Sequence, residues 1–228
     1  MSVPVLERRG FRVRGVAPAA RRGAEAEFLR RRDLDALAWV GEQYAARVDQ
    51  LEVLMDCGPR TVQRTVARLR DAGFVELRRV LVGEPAWVFP TAAGLRACGS
   101  SFGVWSPRIG LLSHVAAVND VRLHVQARSP GSEWIPERAI ARDRTGREHL
   151  PDGVALVGGQ RVAIEVELTI KSRRRVTAIL DELAGRYDAI VYFCGPGPYR
   201  LLGEFADTGR WPKLGIRKLP APASDSSA

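Results

Sequence analysis

Residues 59–80 read PRTVQRTVARLRDAGFVELRRV. Val62, Val66 and Leu69 recur at i, i+4 and i+7, which is one apolar face of a helix. Thr61, Gln63, Arg64, Thr65 and Arg68 fall on its other faces. Pro59 suits the first turn, where its fixed φ helps and its missing N–H costs nothing. Asp71-Ala72-Gly73 ends the helix, with Gly73 free to take positive φ, and Phe74-Val75 leads into a strand. Working outward, Val48–Met55 is a short helix before the Cys57-Gly58-Pro59 turn. Glu76–Val82 and Ala86–Phe89 form a hairpin across Gly83-Glu84-Pro85. Upstream, Asp33 caps a helix running to about Ala46, with Leu34, Leu37, Ala38 and Tyr44 as core candidates. Downstream, Thr91 caps another.

Helix, tight turn, helix and two-stranded ribbon is the order of a winged helix-turn-helix, which lays its second helix in the DNA major groove. On that helix Arg60, Thr61, Gln63, Arg64 and Arg68 are the candidate DNA contacts. Arginine bonds guanine edges or phosphate, and glutamine pairs with adenine. Arg78 and Arg79 on the wing would reach the flanking backbone. A module of this shape used for protein contacts, with a solvated basic face, is the competing reading.

The chain has 228 residues, room for two small domains. Its net charge of +9 is unevenly spread. Residues 1–32 hold nine Arg against three Glu, a net +6, and form a basic arm suited to phosphate contacts, turning helical at Ala24–Arg32 in pattern. Residues 33–98 hold eight basic and nine acidic groups, residues 99–228 eighteen and fourteen. No apolar run approaches the roughly 20 residues needed to span a bilayer. The N-terminus lacks an apolar signal core, so a cytoplasmic protein without membrane contact is expected. Cys57, Cys98 and Cys194 are scattered without metal-ligand spacing and read as thiols in a reducing compartment.

The expected organisation is an arm at 1–32, a DNA-binding domain at 33–98, a linker at 99–107, an α/β domain at 108–219 and a disordered tail at 220–228. The fold class is α+β. In the second half Leu111–Arg128 reads as a helix in which Leu111, Val115, Val118 and Arg122 share a face. Trp134–Ala139, Asp152–Val157 and Arg161–Thr169 read as strands, the last two joined at Gly158-Gly159. A helix at Ser172–Tyr187, a buried strand at Ala189–Gly195 and an edge strand at Ile216–Leu219 complete a mixed sheet with helices on its faces.

One constellation there carries chemistry. Asp152 stands thirteen residues before Glu165-Val166-Glu167, with Lys171 beyond. Strand alternation puts Glu165 and Glu167 on one face, in a strand otherwise of Val, Ile, Ala and Leu. Burying two unpaired carboxylates is costly. A divalent cation or an arginine, Arg122 or Arg138 for instance, would relieve it. Asp152 and Glu165 on adjacent strands are candidate Mg²⁺ ligands, and a metal there could activate water for phosphodiester hydrolysis.

This arrangement resembles the PD-(D/E)xK nuclease superfamily, with Asp152 as its Asp and Glu165 as its (D/E). The lysine position falls at Glu167, a departure shared by restriction enzymes of the superfamily with ExE, and Lys171 lies at the strand end. The resemblance implies Asp152, Glu165, Glu167 and Lys171 as catalytic candidates of a Mg²⁺-dependent endonuclease, or an inactive fold whose carboxylates are paired. The whole layout, with HVAAVNDVRLHV at His114–Val125, LPDGV at 150–154 and AIEVELT at 163–169, is similar to the replication-relaxation family of mobile elements. That similarity covers about residues 33–195. It implies a DNA-binding accessory protein of plasmid replication or conjugative transfer, acting on double-stranded DNA beside a relaxase or replication initiator, with a homodimer expected. A dimeric winged-helix transcriptional regulator is the further alternative. His114 and Asn119-Asp120 are expected to hydrogen-bond at the junction of the two halves.

Overall fold

The computed structural model describes residues 30–106, 108–144 and 146–222. The basic arm, apart from its last residues, and the end of the tail lie outside the described residues. Among those described, eight helices and two sheets make an α+β protein. None of the helices is long and apolar enough to cross a membrane.

The first half begins with α1 (Arg31–Glu42), β1 (Ala46–Arg47), α2 (Val48–Leu54) and α3 (Pro59–Asp71). It continues through β2 (Val75–Arg78), β3 (Trp87–Pro90) and α4 (Ala92–Ala97). Helix α3 starts at Pro59 and is followed by Gly73 at φ 72°, matching the stop anticipated there. The central strand β3 pairs antiparallel with β2 on one side and with β1 on the other. The third strand, β1, has two residues, too few for periodicity to reveal. The ribbon also differs from expectation: β2 stops at Arg78, and residues 79–86 make a broad loop. Val62, Val66 and Leu69 of α3 are buried with Leu37, Val40, Leu51 and Val88 in one core.

Asp33 is not the cap of α1. It lies one turn in, accepts the backbone N–H of Arg30 at 3.4 Å, and is 1% exposed. Arg68 answers its charge with two hydrogen bonds, Nε to Oδ2 at 3.0 Å and Nη2 to Oδ1 at 2.8 Å. Thr65 donates to the same carboxylate at 3.3 Å and is itself buried. A buried carboxylate needs such partners, so Thr65 and Arg68 tie α3 to α1.

The second half is built on a five-stranded sheet in the order β4 (Glu133–Pro136), β5 (Gly153–Val157), β6 (Gln160–Glu167), β7 (Ala189–Cys194), β8 (Leu214–Lys218). β4, β5 and β6 are antiparallel; β6, β7 and β8 are parallel. The helix α5 (Ile109–Arg128) covers one face through Val118 and Val121 against Ile164, Val166 and Phe193. On the other face, α7 (Arg173–Ala184) and α8 (Pro196–Asp207) pack Ile179, Leu180, Leu183, Leu202 and Phe205 on Ala163, Ile190 and Tyr192. Two elements depart from the sequence reading. The strand expected at Trp134–Ala139 stops at Pro136, and Glu137–Arg142 is a helix, α6, because Pro136 occupies its N-cap. The whole of α8 was not anticipated, although Pro196 sits in its first turn.

Helix α5 also faces the first half, where Leu112, Val115 and Ala116 join Ala45, Trp87 and Phe89 in a shared core. Leu111, placed on the same buried stripe by its spacing, is 44% exposed.

The Asp33–Arg68 pair yields a stability test. Arg68→Ala, which leaves the buried carboxylate short of its cation, is expected to cost about 2–4 kcal/mol in urea unfolding. Arg64→Ala, on the solvent face of the same helix, is expected to stay within about 0.5 kcal/mol.

Candidate functional site

Two groups of polar residues stand out. The first is the solvent face of α3. Arg60, Thr61, Gln63 and Arg64 are all exposed, and among the described residues neither Arg60 nor Arg64 forms an ion pair. Their position follows from the helix period: burying Val62, Val66 and Leu69 turns 60, 61, 63 and 64 outward. Arg68 does not belong with them, since its guanidinium is spent on Asp33. On the ribbon, Arg78 pairs with Glu76 and stacks 5.5 Å over the Phe89 ring, while Arg79 is exposed. The sequence pattern brought Arg68 into the set because periodicity shows which face a residue occupies, not which neighbour reaches it.

The second group is a set of carboxylates at the ends of β5 and β6. Strand alternation puts Glu165 and Glu167 on the α7/α8 face with Ala163, opposite Tyr192 and Cys194 of β7. They are 3% and 5% exposed. Asp152 precedes β5. Its Oδ2 accepts the N–H of Val166 at 2.7 Å, just past the point where the β5–β6 ladder ends. Gly153 follows because Trp134 lies against it: a Cβ there would sit 2.2 Å from the indole ring.

Each carboxylate has a partner, and none is the arginine anticipated. Asp152 Oδ1 meets Nε2 of His114 on α5 at 2.8 Å. Glu165 Oε1 meets Nε2 of His149 at 2.7 Å. Lys171, in the loop after β6, folds back to Glu167 with its Nζ 2.5 Å from Oε2. Arg122 pairs instead with Glu42 at 2.7 Å, and Arg138 donates to the carbonyls of Gly41 and Gly103. His149 was missed by the sequence reading. It sits in a loop without periodicity, held by its N–H to Glu182 and by Arg186 donating to its carbonyl.

Burial pushes the Glu165 carboxyl above the ordinary range; the His149 bond lowers it and the Asp152 charge raises it again. His114 ends above its ordinary value: burial lowers it, but the bond to Asp152 and the charges of Asp152, Glu137 and Glu165 outweigh that. Tyr192, whose hydroxyl has no partner among the described residues, is pushed up by burial and by Glu165 and Glu167.

A Mg²⁺ ion at Asp152 and Glu165, the site expected from the sequence, would have to compete with protein groups for their oxygens. Both Asp152 oxygens and one of Glu165 are engaged by protein groups. Among the described residues no three His, Cys, Asp or Glu side chains are placed to hold a metal.

Comparison with known proteins finds no protein-family model that matches the chain and no matching curated protein.

Glu165 and His114 make stability depend on pH with a definite sign. Glu165 is raised from 4.5 and His114 from 6.5 in the folded state. Folding therefore binds protons at both, so their contribution is present at low pH and is lost as pH rises through each raised value. Unfolding free energy is expected to fall across that interval, and the fall should flatten in Glu165→Gln and His114→Gln. An unchanged slope in the double variant would refute the assignment.

Proposed function

We propose that the chain is a duplex-DNA-binding protein of the winged helix-turn-helix type, with α3 as the helix that enters the major groove. The observation that carries this reading is the exposed quartet Arg60, Thr61, Gln63 and Arg64, two of them cations without an ion-pair partner among the described residues, on a helix whose other face is packed in the core. The β2–β3 loop with Arg79 stands where a wing would reach the backbone. The resemblance to the replication-relaxation family supports a role as an accessory factor in plasmid replication or conjugative transfer, beside a relaxase or replication initiator. The second half, nuclease-like in its order of Asp152, Glu165 and Glu167, then serves assembly or further DNA contact.

Specific observations weigh between binding and cleavage. His114, His149 and Lys171 occupy the carboxylates, and Glu167 stands where a lysine would orient an attacking water. Lys171 reaching Glu167 is the feature that favours the endonuclease reading, since it brings a cation to the cluster from outside the motif.

Arg64→Ala and Arg60→Ala are expected to weaken specific DNA binding by about 1–3 kcal/mol each if they read bases, measured by fluorescence anisotropy at fixed salt. Equal affinity of the double variant and the parent protein would remove the DNA-binding reading. Supercoiled plasmid incubated with Mg²⁺ is expected to stay supercoiled. Nicking that disappears in Asp152→Ala and Glu165→Ala would replace the binding reading with an endonuclease.

A further inference from the structure

A cavity of about 340 Å³ lies where the end of α1, the first turns of α5 and the start of α6 meet. Its volume is in the range of pockets for small organic molecules. Three carboxylates line it, Glu42, Glu137 and Asp152, and among the described residues no lysine or arginine does. Glu42 is matched by Arg122, and Asp152 by His114. Glu137 has the Tyr44 hydroxyl at 3.2 Å and, among the described residues, no ion pair. The nearest candidate, Arg138, stacks 4.6 Å over the Tyr44 ring and donates to main-chain carbonyls.

Two amides in the wall are also incompletely bonded. Gln43 is 4% exposed and its Nε2 has no partner among the described residues; Asn119 is fully buried and its Oδ1 has none among them. Buried polar atoms are normally paired. The remaining wall is aromatic and aliphatic. Tyr44 and Trp105 stand 5.3 Å apart at 51°, and Leu111, Val115 and Val118 face them. Tyr44 is held at φ 71°, in the left-handed region that a tyrosine enters only at a cost.

We propose that this cavity binds a small organic cation, an amine or amidine carried on an aromatic or apolar body. The cation lies beside Glu137, the body lies between the Tyr44–Trp105 corner and the aliphatic side of α5, and polar atoms of the ligand meet Gln43 and Asn119. A bare metal ion would not use the apolar wall, and an anion would meet three carboxylates. The inference stands on the cavity alone and does not need the DNA reading.

The test is isothermal titration of the full chain with three indoles of like shape: tryptamine, its uncharged analogue tryptophol, and indole-3-acetate. Tryptamine is expected to bind about tenfold more tightly than tryptophol, because a charge-assisted bond to carboxylate is roughly twice as strong as a neutral one, and indole-3-acetate is not expected to bind. Glu137→Gln should remove the advantage of tryptamine and leave tryptophol unchanged. If that variant does not fold, Trp105→Ala should weaken both tryptamine and tryptophol. Equal binding of tryptamine and tryptophol overturns the proposal. So does full tryptamine affinity in folded Glu137→Gln or in Trp105→Ala, or the absence of binding at millimolar concentration by both tryptamine and the smaller benzylamine.

Discussion

Two buried amides, Gln50 of α2 and Asn119 of α5, bond to each other at 3.0 Å across the seam between the halves of the molecule. Gln50 donates through Nε2 to the carbonyl of Ala116 and to Asp120, both at 2.8 Å. Asn119 donates to the carbonyl of Ala45 at 2.9 Å. Both side chains are completely buried, where a half-satisfied amide costs more than an apolar residue. The network therefore forms only when α2, β1 and α5 are all in place. Ala45 leads directly into β1, the edge strand of the three-stranded sheet, and α5 covers the five-stranded sheet, so this contact joins both sheets.

The carboxylates follow from the same economy of buried charge. Glu165 and Glu167 stand on a strand that must be apolar to be covered by α7 and α8, and their charges need local partners. An arginine fork could have served, and Arg122 and Arg138 were the available candidates by sequence. Both are drawn elsewhere: Arg122 lies beneath Trp39 with Glu42, and Arg138 bridges Gly41 and Gly103. Imidazoles and one lysine take their place.

The parts legible in sequence are those with a single buried face. Helix α3, the strands β6 and β7 and the Gly-Gly turn between β5 and β6 announce themselves through period and turn chemistry. Helix α5 was legible as a helix but not in its role. It is apolar on two sides, toward Trp87 and Phe89 and toward Ile164 and Phe193, so its spacing gives no single stripe. The two-residue β1 is too short for a pattern. Residues 195–198 look like a loop because Gly and Pro end elements as often as they start them, and only Leu202 and Phe205, packed on the sheet, decide in favour of a helix. Long-range pairs are the least legible. Nothing local to Arg68 shows that Asp33 is buried beneath it, and His149 meets Glu165 only because α7 holds its backbone.

Polar bonds at the seam do something that the apolar contacts cannot. Leu112, Val115 and Ala116 would bury similar area if α5 slid along Trp87 and Phe89, because apolar contact is not directional. The amide bonds from Gln50 and Asn119 tolerate no such shift, and neither does His114, which must reach Asp152 from the same helix. The four α5 positions that make these bonds, 114, 116, 119 and 120, lie within two turns. One end of this short stretch is bonded to the helices that carry α3, and the other to the carboxylate beside β5. A helix transmits displacement along its axis because its backbone bonds are internal. The position of Asp152 and the position of α2 are therefore set by one rigid segment, and the cavity beside Glu137 lies along that segment.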